Sequence, residues 1–339
     1  MKTVTILLAI AGLVLGTALV GYFGFGQVGH ALLAVRWNGF LAIVAYHLAG
    51  IALLGLSWYV LSPRPAPLRA FVWGRLIRDS GSEILPLSQL GGFIMGARAA
   101  TLLGITGAAA TASTIVDVTL EVVGQLGYTA LGLVLLARLK PDDPLIGWTA
   151  FGLVAGMVLV IGFILVQRHG IGRMESLVRR IARRWSRDPA LALEQQPLNL
   201  EIHAIYRHPR ALYLAGLLHW AAWIASSVEA WLALRLMGAP LGIGAVIVIE
   251  SLLYAVRSVA FAVPNAVGVQ EGAYIMLGAA FGLTPEVALA LSLLKRARDL
   301  VIGVPALIAW QILESRRLLT GPGQPVAAPS SLTPPGGEP

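Results

Sequence analysis

The sequence predicts an all-α integral membrane protein, with about six full transmembrane helices and two re-entrant or broken-helix hairpins arranged as two inverted repeats. Three observations carry this expectation. Hydrophobic residues make up 57% of the chain and charged residues only 12%, with a mean hydropathy of +0.77, outside the range of soluble globular domains. The chain also matches itself without a gap at an offset of 178 residues. Pro86 falls on Pro264, Gly104 on Gly282, Thr106 on Thr284, Ala110 on Ala288, Ala112 on Ala290, Glu121 on Asp299 and Val123 on Val301. Finally, the arginines gather in a few polar stretches, as they do in cytoplasmic loops.

In chain order, Lys2 precedes an apolar run from Val4 to Phe25 that is long enough to span and is followed by no small-residue cleavage site, which predicts an uncleaved first helix. Gly39 to Leu61 is a second span, stopped by the prolines of SPRPAPLR, where Arg64 and Arg69 mark a cytoplasmic loop. The next thirty residues, FVWGRLIRDSGSEILPLSQLGGFIMGARAA, are apolar in patches but interrupted by Arg75, Arg78, Asp79, Glu83, Pro86 and Gln89. Neither half is a comfortable span, which predicts the first hairpin. Thr111 to Leu136 and Leu145 to Val166 are spans joined by the short turn RLKPDDP.

The segment 167–210 is arginine-rich, with Arg179, Arg180, Arg183, Arg184 and Arg187 at its centre, and is expected in the cytoplasm. Within it Met174, Leu177, Val178, Ile181 and Trp185 recur at helical spacing, an amphipathic helix on the inner leaflet or a solvated linker helix. Leu212 to Met237 is the next span. Gly242 to Phe261 is long enough to cross but carries Glu250 and Arg257, and the repeat lays it on the first hairpin. Gly268 to Gly282 is again too short, and Pro285 to Leu313 is a long last helix ending at Arg316 and Arg317. The expected organisation is one membrane domain over 1–318, with repeats at about 38–136 and 211–314, and a Pro/Gly/Ser-rich disordered tail at 319–339.

With the N-terminus and the arginine loop both cytoplasmic, the span at Gly39 runs inward while its counterpart near Leu217 runs outward. The two units then have opposite topology, each a span, a re-entrant hairpin and a span, with the C-terminus also cytoplasmic. Inverted repeats with broken helices build many secondary transporters, whose sites lie near the bilayer midplane. Non-helical backbone at that depth is tolerable only inside protein or beside a wet cavity. A cavity between the hairpins is therefore expected.

Charges within spans are costly and mark pairs or function. Asp117 and Glu121 lie one turn apart in the first repeat, and Lys295, Arg296, Arg298 and Asp299 occupy the matched stretch of the second. The expectation is an acidic helix facing a basic one. Two readings stand: a structural ion-pair network that locks the halves, or a site where Arg296 or Arg298 meets an anionic headgroup while Asp117 and Glu121 supply counter-charge or carry a proton. Glu83, Gln89 and Arg98 on the first hairpin, with Gln270 and Glu271 on the second, complete the candidate translocation residues. Glu271 is equally suited to cap a half-helix. Glu250 and Arg257, two turns apart, are a candidate pair, and His47 and His219 read as interhelical hydrogen-bonders rather than ligands.

No cysteine is present, which excludes disulfides and thiolate nucleophiles. P-loop, H-E-x-x-H and G-x-S-x-G motifs are missing, so no enzyme activity, cofactor or metal is expected. Pro141 to Asp143 reads as a turn and helix cap rather than a metal site. The net charge of +8 fits loops against anionic headgroups and not nucleic acid.

Three blocks carry a resemblance: GSEILPLSQLGGFIMGARA, STIVDVTLEVVGQLGYTALG, and PNAVGVQEGAYIMLGAAFGL followed by LSLLKRARDLVIGVPALIAWQ. Together, over about 1–318, they resemble membrane proteins encoded beside squalene-hopene cyclase in hopanoid-producing bacteria. Those proteins are a branch of the flippase-like family related to the transmembrane region of lysylphosphatidylglycerol synthases. Pro264, Gly268 and Glu271 match the P-x-x-x-G-x-x-E pattern of that larger family, while Asn265 departs from it. No aminoacyl-transfer domain follows the membrane region in this sequence. The resemblance implies an inner-membrane lipid flippase or transporter handling hopanoids, their precursors or anionic phospholipids. Its implied partners are those lipids and hopanoid-biosynthesis enzymes. Two alternatives are a membrane-embedded enzyme or accessory subunit of hopanoid or polyisoprenoid metabolism, and a scaffold for hopanoid enzymes.

Overall fold

A computed structural model describes residues 25–62, 65–85, 88–169, 198–260, 263 and 266–320. Among these the secondary structure is helical, in eleven helices and no strands. They are α1 (Phe25–Ala34), α2 (Arg36–Val60), α3 (Leu68–Ile84), α4 (Ser88–Leu102), α5 (Gly107–Leu139), α6 (Leu145–His169), α7 (Leu198–Tyr206), α8 (Pro209–Leu236), α9 (Ile243–Val259), α10 (Val269–Ala279) and α11 (Pro285–Thr320). Four of them are long and apolar enough to cross a membrane: α2, α5, α6 over Leu145–Gln167, and α8. The expected first span up to Gly24, the amphipathic helix at 174–185 and residues 321–339 lie outside the described residues.

The internal match is visible in the backbone. Adding 178 to the bounds of α2, α3, α4 and α5 lands within a few residues of α8, α9, α10 and α11. The turn before α5 recurs bond for bond. Gly104 N–H donates to Thr101 and Ile105 N–H to Ala100, and 178 residues later Gly282 N–H donates to Ala279 and Leu283 N–H to Gly278. This is the two-bond helix stop that needs a left-handed residue, and Gly104 (φ +98) and Gly282 (φ +83) supply it without a Cβ clash. Thr106 then caps α5 by accepting from Ala109 N–H. Even the short helices correspond, with α1 packed on α11 and α7 packed on α5.

The counterpart helices α2 and α8 pack against each other. Tyr46 Oη donates to the carbonyl of Ala225 and, further along α2, Ser57 Oγ donates to that of Ala215, so the two run antiparallel. The stretch expected to be irregular forms regular helices of 17 and 15 residues, α3 and α4. At 1.5 Å per residue, α3, α4 and α10 are each about 25 Å or less, short of a hydrocarbon core of about 30 Å. Glycines let α3 and α4 touch. A Cβ on Gly96 would stand 2.6 Å from Arg78 Cβ and 2.8 Å from the Gly74 carbonyl, the close approach that small residues allow between membrane helices.

The largest apolar core joins α1, α2, α8, α9, α10 and α11, with Ile43, Leu234, Ile249 and Leu289 buried in it. By contrast α6 packs chiefly on α5 and α7, and its most apolar stretch is left unburied, while Gln167 at its end is buried against Thr119 and Tyr206. Asp143 Oδ1 accepts from Leu145 N–H and caps it, as expected of that turn.

Candidate functional site

The two halves enclose a cavity of about 240 Å³. Its charged lining comes from six helices: His47 on α2; Arg75, Arg78, Asp79 and Glu83 on α3; Glu121 on α5; His219 and Glu229 on α8; Arg257 on α9; Arg298 and Asp299 on α11. Phe93, Trp223 and Tyr254 add aromatic faces, with Trp223 meeting Tyr254 edge-on at 4.7 Å. Asp117 and Lys295 each lie ten residues into their long helices, roughly 15 Å from the start, about half the thickness of a hydrocarbon core.

The charges are held in defined pairs. Arg75 forks onto Glu121 at 2.9 and 3.2 Å and reaches Asp79 at 2.8 Å. Arg78, one turn on, donates to Asp117 at 2.8 Å and also to Glu121, and its guanidinium lies 4.5 Å over Phe93. His219 Nε2 meets the other oxygen of Asp117 at 2.9 Å. Across the cavity Arg298 binds Glu229 and, at 2.6 and 3.0 Å, Asp299. His47 Nδ1 lies 2.9 Å from Glu229, and Arg257 donates to both oxygens of Glu83 at 2.9 Å. Paired guanidinium and carboxylate is the arrangement that makes buried charge tolerable in a low-dielectric interior.

Of the eleven residues singled out in the sequence, Glu83, Glu121, Arg298 and Asp299 line this cavity, and Asp117 sits directly behind it on Arg78 and His219. Gln270, Glu271 and Arg296 form a separate cluster. Glu271 accepts from Gly268 N–H at 2.8 Å, capping α10, and from Arg296 at 2.7 Å and Ser292 at 2.9 Å, while Gln270 donates to Ser292. Lys295 is buried against Glu250 at 2.6 Å. Arg98 is on the outside, paired with Glu314 at 2.7 Å. Gln89 lies in α4, its side chain outside the described residues.

One expectation is corrected. Glu250 and Arg257 do not pair with each other: Glu250 takes Lys295 and Tyr274, and Arg257 reaches across to Glu83. Two turns of one helix separate them, and nearer partners on neighbouring helices win. The acidic face of α5 and the basic face of α11 do not pair with each other. Both face the same cavity, but Asp117 and Glu121 are neutralised by Arg75 and Arg78 of α3, and Arg298 by Glu229 of α8.

With that geometry in hand, the family is decided by a match that spans both halves. The family model described as the lysylphosphatidylglycerol synthase TM region matches residues 8–306. The chain belongs to this family. No curated protein and no solved structure matches it. The lysylphosphatidylglycerol synthase TM match includes every residue that lines the cavity, and membership together with the apolar helices makes the chain a multi-pass membrane protein.

Sequence reasoning missed Glu229, a lone carboxylate in a 28-residue apolar helix. The rule that a charge inside a span needs a partner would have found it. Arg75, Arg78 and Asp79 were legible as interruptions of an apolar stretch, but the role of the two arginines as counter-charges to α5, with Asp79 held on Arg75, appears only in the packing of α3 against it.

Proposed function

We propose that this protein carries lipid across the bacterial inner membrane, admitting the headgroup to the polar cavity while the tails stay in the bilayer. One observation carries the reading: four arginines and five carboxylates, contributed by both halves, line a cavity at mid-depth of apolar helices. Buried charge at that depth is kept for translocation pathways and relays more than for stability. The antiparallel α2 and α8, joined with the 178-residue correspondence, support two inverted repeats. In this arrangement α11 is a further span despite the four charges at its centre, the short helices form two hairpins that return to their own side, and both termini are cytoplasmic. The cargo classes are hopanoids, their precursors or anionic phospholipids, and no covalent chemistry is required of the protein.

Purified protein in vesicles containing headgroup-labelled phosphatidylglycerol tests this, with quencher added outside to report the leaflet. Arg75→Gln and Arg298→Gln, folded by circular dichroism and gel filtration, are expected to abolish redistribution, whereas Arg98→Ala on the outer surface retains it. Unchanged transport in both cavity variants would overturn the assignment. The pair of His219 on the cavity wall and Asp117 behind it also suits proton transfer, which favours a membrane-embedded enzyme as the second reading. A covalently altered lipid formed by the purified protein alone distinguishes it.

A further inference from the structure

The buried charges share an imbalance that recurs on both sides of the cavity. On one wall Arg75 and Arg78 face Asp79, Asp117 and Glu121, two guanidiniums among three carboxylates. On the other wall Arg298 faces both Glu229 and Asp299. Nearby, Lys295 lies against Glu250, Arg296 against Glu271 and Arg257 against Glu83. Each unbalanced wall carries one histidine hydrogen-bonded to one of its carboxylates, His219 to Asp117 and His47 to Glu229. The two contacts cross the halves in opposite senses. His219 of the second half reaches a carboxylate of the first, and His47 of the first reaches a carboxylate of the second.

A buried carboxylate without a cation is costly. One proton on each imidazole balances each wall. His219 is fully buried and lines the cavity, and its Nδ1 has no hydrogen-bond partner among the described residues. An imidazole whose Nε2–H donates to Asp117 presents a bare lone pair at Nδ1. A proton from cavity water that binds there makes the ring a donor at both nitrogens and its contact with Asp117 an ion pair. Asp117 is then shared between two cations, and Arg78 gains capacity to turn toward an anionic group in the cavity. At His47, where Nδ1 already meets Glu229, the free position is Nε2.

We propose that His219 and His47 are two proton-binding sites that couple proton movement to headgroup binding. The coupling rests on the lipid-transport reading; the proton sites do not. The groups facing His219 are Asp117 and Glu121 from α5 and Arg75, Arg78 and Asp79 from α3. Those facing His47 are Glu229 from α8 and Arg298 and Asp299 from α11. Tyr46 from α2, Glu83 from α3, and Tyr254 and Arg257 from α9 complete the lining around both.

The full chain, labelled with nitrogen-15 histidine in phosphatidylglycerol nanodiscs, is titrated from about pH 5 to about pH 8, the range over which imidazole changes charge. Two ring signals, one lost in His219→Gln and the other in His47→Gln, are expected to pass from imidazolium to neutral. Either ring keeping one charge state throughout overturns the proposal. In a second arm, vesicles with labelled phosphatidylglycerol carry a gradient of about one pH unit, which shifts the steady distribution about tenfold per coupled proton. His219→Gln is expected to lower that factor, and an unchanged factor refutes coupling. Lipid redistribution with silent histidines refutes the proton sites and leaves transport standing. Titrating histidines with no redistribution under any gradient does the reverse.

Discussion

The hairpins α3–α4 and α9–α10 occupy matched positions, yet they are held together by opposite means. In the first, backbone meets backbone through glycines: a Cβ on Gly92 would lie 2.6 Å from the Arg78 carbonyl, and Gly74 and Gly96 are equally confined. In the second, the positions matched to Gly92 and Gly96 are Gln270 and Tyr274, and their side chains reach out instead. Tyr274 Oη donates to Glu250 at 2.6 Å, Glu250 holds Lys295, and Gln270 joins Ser292 beside Glu271. One hairpin is fixed by shape and the other by buried hydrogen bonds. The contrast leaves the first free to present Arg75, Arg78, Asp79 and Glu83 to the cavity, while the second spends its polar groups on itself and on α11, apart from Tyr254, Arg257 and Ser258.

The contrast can be broken most severely at Glu250. Glu250→Ala strands Lys295 and Tyr274 in the interior and is expected to destabilise by about 3–5 kcal/mol, whereas Glu250→Leu with Lys295→Met and Tyr274→Phe, which removes all three polar partners, is expected to be near neutral or stabilising. Thermal unfolding in detergent measures both, and equal damage from single and triple variants would remove the polar account of the second hairpin. Next in size is Gly96→Ala, expected to cost about 1–3 kcal/mol because the added methyl has no room between α3 and α4. Smallest, and opposite in sign, is Gly272→Ala on α10. A Cβ there meets nothing within 4 Å, so the change is expected to stabilise by about 0.4–1 kcal/mol through the unfolded chain. The same assay on these two glycines, giving the same sign for both, would erase the distinction.

Much of this arrangement is legible in the sequence where short-range chemistry decides it. The turns at Gly104–Thr106 and Gly282–Thr284 announce themselves because a left-handed residue followed by a threonine cap has few substitutes. Hydropathy marks α2, α5, α6 and α8 for the same reason, since crossing a bilayer is a property of a contiguous stretch. Pairing between charges is different. Whether Asp117 takes Arg78 or Lys295 depends on which helices abut, and several partners of opposite sign lay within sequence reach. Glu229 and its arginine are 69 residues apart, and His47 is 182 residues from the same carboxylate. Residue type gives the need for a partner, and only the packing gives its name.

Helix α6 has a consequence of another kind. Its most apolar stretch buries no residue, and Trp148, Phe151, Val158 and Leu159 all stand exposed on the face away from the rest of the chain. Acyl chains are as apolar as leucine and exert no fit, so this helix answers to hydrophobic length and little else. Its apolar side chains are interchangeable in a way those of α8 are not. Shuffling the outward-facing apolar residues of α6 at equal hydropathy, with Gly156 against Leu126 and Gln167 kept in place, should leave the cavity intact, which makes that face the natural place on this protein to attach a probe, a tether or a label.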